Sequence, residues 1–330
     1  MPFSLLRTDG VPVESLRPGV RMIDKLTKRG PAVGKMDQEA LAQAQATVFP
    51  ESGMISVILG RAPRSVTISK SSFIASHGQP LPLRIYTPRS VGHDRPVVVS
   101  YHGGGFALGS ARQTDWMSGY VCKALDAVVF SVDYRLAPTH PFPAAVEDCY
   151  ETLTWVAEHA GEFGGDPKWL AVMGESAGGN LSAVMAIMSR DRGGPAIAQQ
   201  TLLYPVTDLT DAIKETASYQ NHRGIVLSNE DMDVFNQYYM PDGVDRSDWR
   251  LSPIYAKDLS GLPPAVVVVG GLDPLHDLGV SYAKALASAG VSVTLEDYPQ
   301  MPHGFLNFPY LSKSARPAMK AVVTSMRQTR

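Results

Sequence analysis

Ser176 lies in Gly174-Glu175-Ser176-Ala177-Gly178, directly after the apolar run Trp169-Leu170-Ala171-Val172-Met173 and before a helical pattern that opens at Ala177. By itself a G-x-S-x-G pentapeptide also occurs in ordinary turns and at helix N-caps. A strand before it and a helix after it make it the sharp elbow that exposes a serine nucleophile. The turn sets the serine at a helix N-terminus, where unpaired amides favour developing negative charge. A serine hydroxyl is a weak nucleophile at neutral pH, so it needs a base, and the base needs a group to hold its tautomer.

Of the eight histidines, His303 follows a strand ending at Tyr298 across the short turn Pro299-Gln300-Met301-Pro302. Asp273 follows the apolar run Val266-Val267-Val268-Val269 and the pair Gly270-Gly271. Both positions fall at the carboxyl edge of a parallel sheet, the edge that also carries Ser176. Ser176, Asp273 and His303 are therefore the candidate nucleophile, orienting acid and base. His276, Asp277 and Asp297 lie nearby in sequence, and Asp277 also suits a helix start, so the acid is chosen on position alone. Upstream, the strand Val97-Val98-Val99-Ser100 runs into Tyr101-His102-Gly103-Gly104-Gly105-Phe106. Three glycines there are entropically costly, and their use is to let backbone amides face a ligand. The amides of Gly104, Gly105 and Ala177 would form an oxyanion hole for a tetrahedral intermediate of acyl transfer. His102, Gly103 and Glu175 are expected to shape the loops around it. The loop lacks the lysine and Ser/Thr of a phosphate-binding loop and the spacing of a dinucleotide fingerprint. The other histidines read as surface or packing residues.

From about Pro96 onward, short β-branched runs alternate with helical patterns, which predicts βαβ units and a mostly parallel sheet. Strands are expected at Val97–Ser100, Val128–Val132, Leu170–Met173, Thr201–Tyr204, Ala265–Val269 and Val291–Tyr298. Ser65–Lys70 and Leu83–Tyr86 read as an antiparallel pair at one edge, for about eight strands in a mixed sheet. Helices are expected over Ala144–Ala160, Ala177–Met188 and Asp277–Ala289. Two regions break the rhythm, a helical-looking stretch over 1–60 and a polar, aromatic segment over 206–253. Both are expected to form a cap over the catalytic end, with the core divided between 61–205 and 254–330.

With 330 residues, 44% of them apolar, the chain can bury a sizeable core. A formal charge of -2 with interspersed signs leaves no electrostatic footprint for nucleic acid or an anionic membrane. Cys122 and Cys149 show no metal or redox spacing and read as packing thiols. No set of His, Cys and acidic residues has metal-ligand spacing, so no metal is expected. No apolar stretch approaches the roughly 20 residues of a membrane-spanning helix. The N-terminus has no signal-peptide pattern, so a cytoplasmic enzyme is the expectation.

Together these motifs resemble the hormone-sensitive lipase family of α/β-hydrolases, in particular its bacterial carboxylesterases. The resemblance rests on His102-Gly103-Gly104-Gly105, Gly174-Glu175-Ser176-Ala177-Gly178-Gly179-Asn180, Asp273-Pro274-Leu275 and His303-Gly304-Phe305. Asp133-Tyr134-Arg135-Leu136-Ala137-Pro138 and His140-Pro141-Phe142-Pro143-Ala144-Ala145 reinforce it. The family implies an α/β-hydrolase fold with a helical cap, and hydrolysis of small short- to medium-chain esters through an acyl-enzyme, with no cofactor. It implies structural roles for Asp133, Arg135, Glu147 and Asp148, and a homodimer paired through an exposed edge strand such as Val291–Tyr298. Glu175 departs from the Asp or Thr that many members carry before the serine. Plant hormone receptors that resemble this family keep the pocket but lose the histidine, and His303 argues against that binding-protein reading. An amidase or thioesterase would use the same residues, whereas the triple-glycine loop disfavours a peptidase.

Overall fold

The computed structural model describes residues 3–7, 16–28, 33–46, 53–222 and 224–330. Its elements are β1 (Phe3–Arg7), α1 (Pro18–Thr27), α2 (Gln38–Ala46), α3 (Gly53–Ile58), β2 (Val66–Ile74), β3 (Pro80–Pro88) and β4 (Arg95–Tyr101), followed by α4 (Asp115–Leu125), β5 (Val128–Val132), α5 (Ala144–His159), β6 (Gly165–Glu175) and α6 (Ala177–Arg192). After these come β7 (Gln199–Leu203), α7 (Ala217–Asn221), α8 (Asn229–Tyr239), β8 (Ala265–Gly270), α9 (His276–Ser288), β9 (Val293–Tyr298) and α10 (Ala315–Gln328).

The sheet order is β1-β9-β8-β7-β6-β4-β5-β3-β2. From β1 across to β5 every pairing is parallel, and β3 and β2 close the far end antiparallel, as expected. The eight anticipated strands are all present, and β1 adds a ninth. That strand corrects two expectations. The stretch before residue 60 is not helical throughout, and Val291–Tyr298 is not at the edge, because β1 pairs along it from Phe3–Val293 to Arg7–Asp297. The backbone groups of β9 that a dimer partner would have used face β1 instead.

The central strands are apolar on both faces because both faces are covered. In β4 every residue is buried. Val97, Val99 and Tyr101 pack with residues of α5 and α6, including Val146, Leu153, Leu181 and Met185. Val98, one step out of phase, packs with Val121 of α4 and Val322 of α10 on the opposite face. This two-residue alternation clamps the sheet between helices and fixes its register, since a slip by one residue would exchange the two faces. Cys122 and Cys149 are free and buried, and burial pushes the Cys122 thiol up to about 12. Both are the packing thiols expected.

Loop segments at the carboxyl ends of β4 and β5 are tied down by buried charge. Asp148 of α5 is fully buried and takes Arg135 in a fork, with Nη2 to Oδ1 at 2.7 Å and Nε to Oδ2 at 2.9 Å. The Arg135 amide donates to Oδ2 at 2.9 Å as well. Asp133 accepts the Ala111 amide at 2.6 Å, which joins the β5 loop to the segment that follows the glycine loop. The structural roles that the family resemblance implied for Asp133, Arg135 and Asp148 match these contacts. Truncating one partner of such a pair leaves the other unpaired, so Asp148→Ala should cost about 3 kcal/mol, the low end for a buried pair because Arg135 keeps some solvent contact. Urea denaturation that returns a loss under about 1 kcal/mol would refute that role.

Candidate active site

β6 ends at Glu175 and α6 begins at Ala177, so Ser176 alone makes the turn between them. Its backbone is held at φ 54° and ψ -117°, a conformation that side chains other than glycine rarely adopt and that costs of order 1–3 kcal/mol. Two glycines make the turn possible. A Cβ on Gly174 would lie 2.0 Å from the Gly178 carbonyl oxygen, and one on Gly178 would lie 2.0 Å from that of Tyr101. The Ser176 amide donates to the Leu203 carbonyl at 2.8 Å, which pins the elbow to β7. Asn180, one turn into α6, donates through Nδ2 to the carbonyls of Val206 and Leu251, each at 2.7 Å.

The structure brings the three sequence-selected residues into one line. Ser176 Oγ lies 2.9 Å from His303 Nε2, and His303 Nδ1 lies 2.7 Å from Asp273 Oδ2. Asp273 is 1% exposed, and its other oxygen accepts the Leu275 amide at 2.8 Å, so the carboxylate cannot rotate freely. A carboxylate on Nδ1 keeps the imidazole proton on that nitrogen and leaves the Nε2 lone pair for the serine hydroxyl. Tyr204, at the end of β7, sets its ring against the imidazole edge-on at 5.1 Å between centroids.

At the end of β4, His102 turns away from this line. Its ring stacks on Tyr134 at 4.2 Å, and its Nδ1 meets the Gly103 carbonyl at 2.8 Å. Tyr134 in turn donates to the His102 carbonyl at 2.8 Å. Burial holds the His102 pKa down, so the ring stays neutral and serves as a loop brace. Gly105 sits at φ 59° directly under Phe235 of α8, where a Cβ would be 2.2 Å from the ring. Its neighbour Phe106 stacks on Tyr239 at 3.8 Å. Among the described residues no acceptor in the chain pairs with the amides of Gly104, Gly105 or Ala177. All three residues line the same cavity as Ser176 and His303.

That cavity has a volume of about 660 Å3. Its apolar wall comes largely from the segment between β7 and β8, through Leu209, Ile213, Leu227, Met232 and Phe235, and Val33 and Leu59 close another side. The two contributions are joined, because the Gly34 amide donates to Asp231 at 2.8 Å and the Tyr238 hydroxyl to the Met36 carbonyl at 2.8 Å. Among the described residues no cluster of three or more His, Cys, Asp or Glu could hold a metal ion, and no helix is long and apolar enough to cross a membrane.

Sequence reasoning missed the partners of Glu175. This residue is 2% exposed, and its carboxylate accepts from Gln113 Nε2 at 2.8 Å, the Tyr204 hydroxyl at 2.9 Å and Asn307 Nδ2 at 2.6 Å. Burial, and then the adjacent Glu175 charge, push the Tyr204 hydroxyl well above its ordinary range. Charge in the motif was the available signal, since a glutamate at a buried strand end must find donors. Phe235 was also missed as a contact of the glycine loop.

Comparison with known proteins bears on the fold and the activity class. A family model described as an alpha/beta hydrolase fold matches residues 98–307. The chain is 45% identical to the carboxylic ester hydrolase LipN of Mycobacterium tuberculosis, over 75% of this chain and 66% of that protein. It is 32% identical to an ethyl acetate hydrolase of Pseudomonas putida, over 95% of this chain and 99% of that one. Among solved structures, a hyperthermophilic esterase from the archaeon Pyrobaculum calidifontis superposes with a TM-score of 0.84 at 36% identity, covering 95% and 98% of the two chains.

The rival acids have other work. Asp277 Oδ1 meets His276 Nδ1 at 3.0 Å, its Oδ2 accepts the Ser218 amide at 2.9 Å, and Asp297 Oδ1 lies 3.4 Å from His276 Nε2. Burial opposes charge on His276, but its pairings with the accepting carboxylates of Asp297 and Asp277 outweigh it and raise its pKa. A group whose pKa rises on folding adds stability below its unfolded value, and that stability is lost as pH climbs through the folded value. His276→Gln should therefore lower stability by of order 1 kcal/mol near pH 5.5 and by less near pH 9. Thermal midpoints at the two pH values test this, and a larger loss at pH 9 would contradict the pairing.

Proposed function

The chain belongs to the α/β-hydrolase fold family and is a carboxylic ester hydrolase, and from that premise we propose that Ser176, His303 and Asp273 cleave short- to medium-chain acyl esters through a covalent acyl-enzyme. The observation that carries the reading is the unbroken hydrogen-bond line from Asp273 through His303 to Ser176, ending in the cavity beside three unpaired amides.

Ser176 Oγ attacks the ester carbonyl while His303 Nε2 takes its proton, and Asp273 stabilises the imidazolium that results. The carbonyl oxygen becomes an oxyanion held by the amides of Gly104, Gly105 and Ala177, and each such donor is worth about 3 kcal/mol in the transition state. Collapse breaks the ester C–O bond, and His303 returns the proton to the departing alcohol. A water deprotonated by His303 then attacks the acyl carbonyl, Ser176 leaves with the proton, and the carboxylic acid is released. Every step uses this chain, the ester and water, with no cofactor.

The described residues of 206–253 together with those of 33–46 and 53–59 act as the cap. Their apolar side chains wall the acyl side of the cavity of about 660 Å3, which we read as a site for short and medium chains. Hydrolysis of p-nitrophenyl esters from acetate to palmitate should show an optimum below the long-chain members. In Ser176→Ala, turnover should fall by about 10⁴-fold or more with an almost unchanged thermal midpoint. Retained turnover in that variant would overturn the triad, and a palmitate optimum would overturn the chain-length assignment.

A further inference from the structure

Glu175 is a buried carboxylate next to the nucleophile that no step above uses. Its three donors come from three separate segments. Gln113 lies in the turn after the glycine loop and also donates to the Gly103 carbonyl at 3.2 Å. Tyr204 directly follows β7 and sets its ring edge-on against His303. Asn307 closes the short turn that begins two residues after His303. The carboxylate is thus the common acceptor of the oxyanion loop, the strand beside the elbow and the loop that carries the base. Burying an ionised carboxylate is costly unless such donors surround it. An uncharged amide at this position could also have met these donors.

We propose that Glu175 is a positioning residue for catalysis: its carboxylate sets the His303 loop against the Ser176 elbow, and its negative charge favours the imidazolium that His303 becomes when Ser176 attacks. The inference rests on the triad reading. In the transition state His303 gains a positive charge with the Asp273 carboxylate on Nδ1, while the Glu175 carboxylate accepts from the hydroxyl of Tyr204, whose ring meets the imidazole edge-on. A buried opposite charge linked to the imidazole through one tyrosine favours its charged form and is little screened by solvent. The other charged groups around the cavity, Asp208, Asp211, Lys214, Asp231, Asp233 and Arg246, line it from the β7–β8 segment. They are unchanged in the variants below.

Glu175→Gln removes the charge and keeps the shape. The Gln113 and Asn307 amides can turn to meet it, and Asn307 Oδ1 is buried without a hydrogen-bond partner among the described residues, so it is free to accept. Asn307→Ala keeps the charge and cuts one tether of the base loop. In Glu175→Gln, kcat should fall about tenfold or more with KM nearly unchanged, and the acid limb of kcat/KM should move to lower pH by roughly half a unit. In Asn307→Ala, kcat should fall with that limb in place. A wild-type kcat and acid limb in Glu175→Gln would overturn the charge role, and a wild-type kcat in Asn307→Ala would overturn the positioning role even if Glu175→Gln did not fold. End-point titration with an aryl phosphonate separates this from failure of the triad. Full labelling of Ser176 in wild type and variants keeps the triad intact, whereas wild type that does not label at Ser176 points to the triad instead.

Discussion

The turn at Ser176 is the constraint on which the other parts of the site depend. A strand that enters a helix with one residue between them forces that residue to φ 54° and brings neighbouring chain segments within contact of its backbone. The strain persists only because the surroundings over-determine it. The Ser176 amide is bonded to β7, Asn180 holds the first turn of α6 to the segment after β7, and Gly178 lies against the end of β4. Once these contacts fix the elbow, Ser176 and Ala177 line the same cavity. The glycine loop, His303 and Asp273 are then placed relative to that one turn.

Hydrogen bonds to buried charge do most of this placing. Asp273, Glu175 and Asp148 are each almost fully buried, and each carboxylate is met by several donors. A buried carboxylate with an unfilled lone pair would be expensive, so each one selects a particular arrangement of loops over the alternatives. Apolar packing supplies the sheet and its covering helices. The polar contacts decide which loop sits where at the carboxyl edge. His102 belongs to this set as a neutral ring stacked on Tyr134, a contact that shapes the glycine loop and keeps it clear of Ser176.

Much of this was legible from residue types and spacing. The apolar runs at Val97–Ser100 and Val128–Val132 read as strands because both faces must be buried, and the elbow read as a turn because two glycines bracket the serine. Asp273 was selected over Asp277 and Asp297 by its place after a strand, and the His276 pairings agree with that choice. The strand Phe3–Arg7 escaped notice because a short apolar run has no period of its own and its partner β9 lies at the other end of the chain. The three donors to Glu175 escaped for a related reason. Polar side chains that meet only after folding leave no periodic trace, and those of Gln113 and Asn307 come from 62 and 132 positions away. The contact between Phe235 and Gly105 likewise exists only once the β7–β8 segment has docked.

The central claim is that Ser176 carries the acyl group. Acid-quenched mixing with p-nitrophenyl acetate, followed by peptide mass spectrometry, tests it directly. The account predicts that the peptide containing Ser176 gains one acetyl group during turnover and loses it when substrate is exhausted. An unmodified Ser176 throughout turnover, or acetyl transiently on another residue, would contradict it.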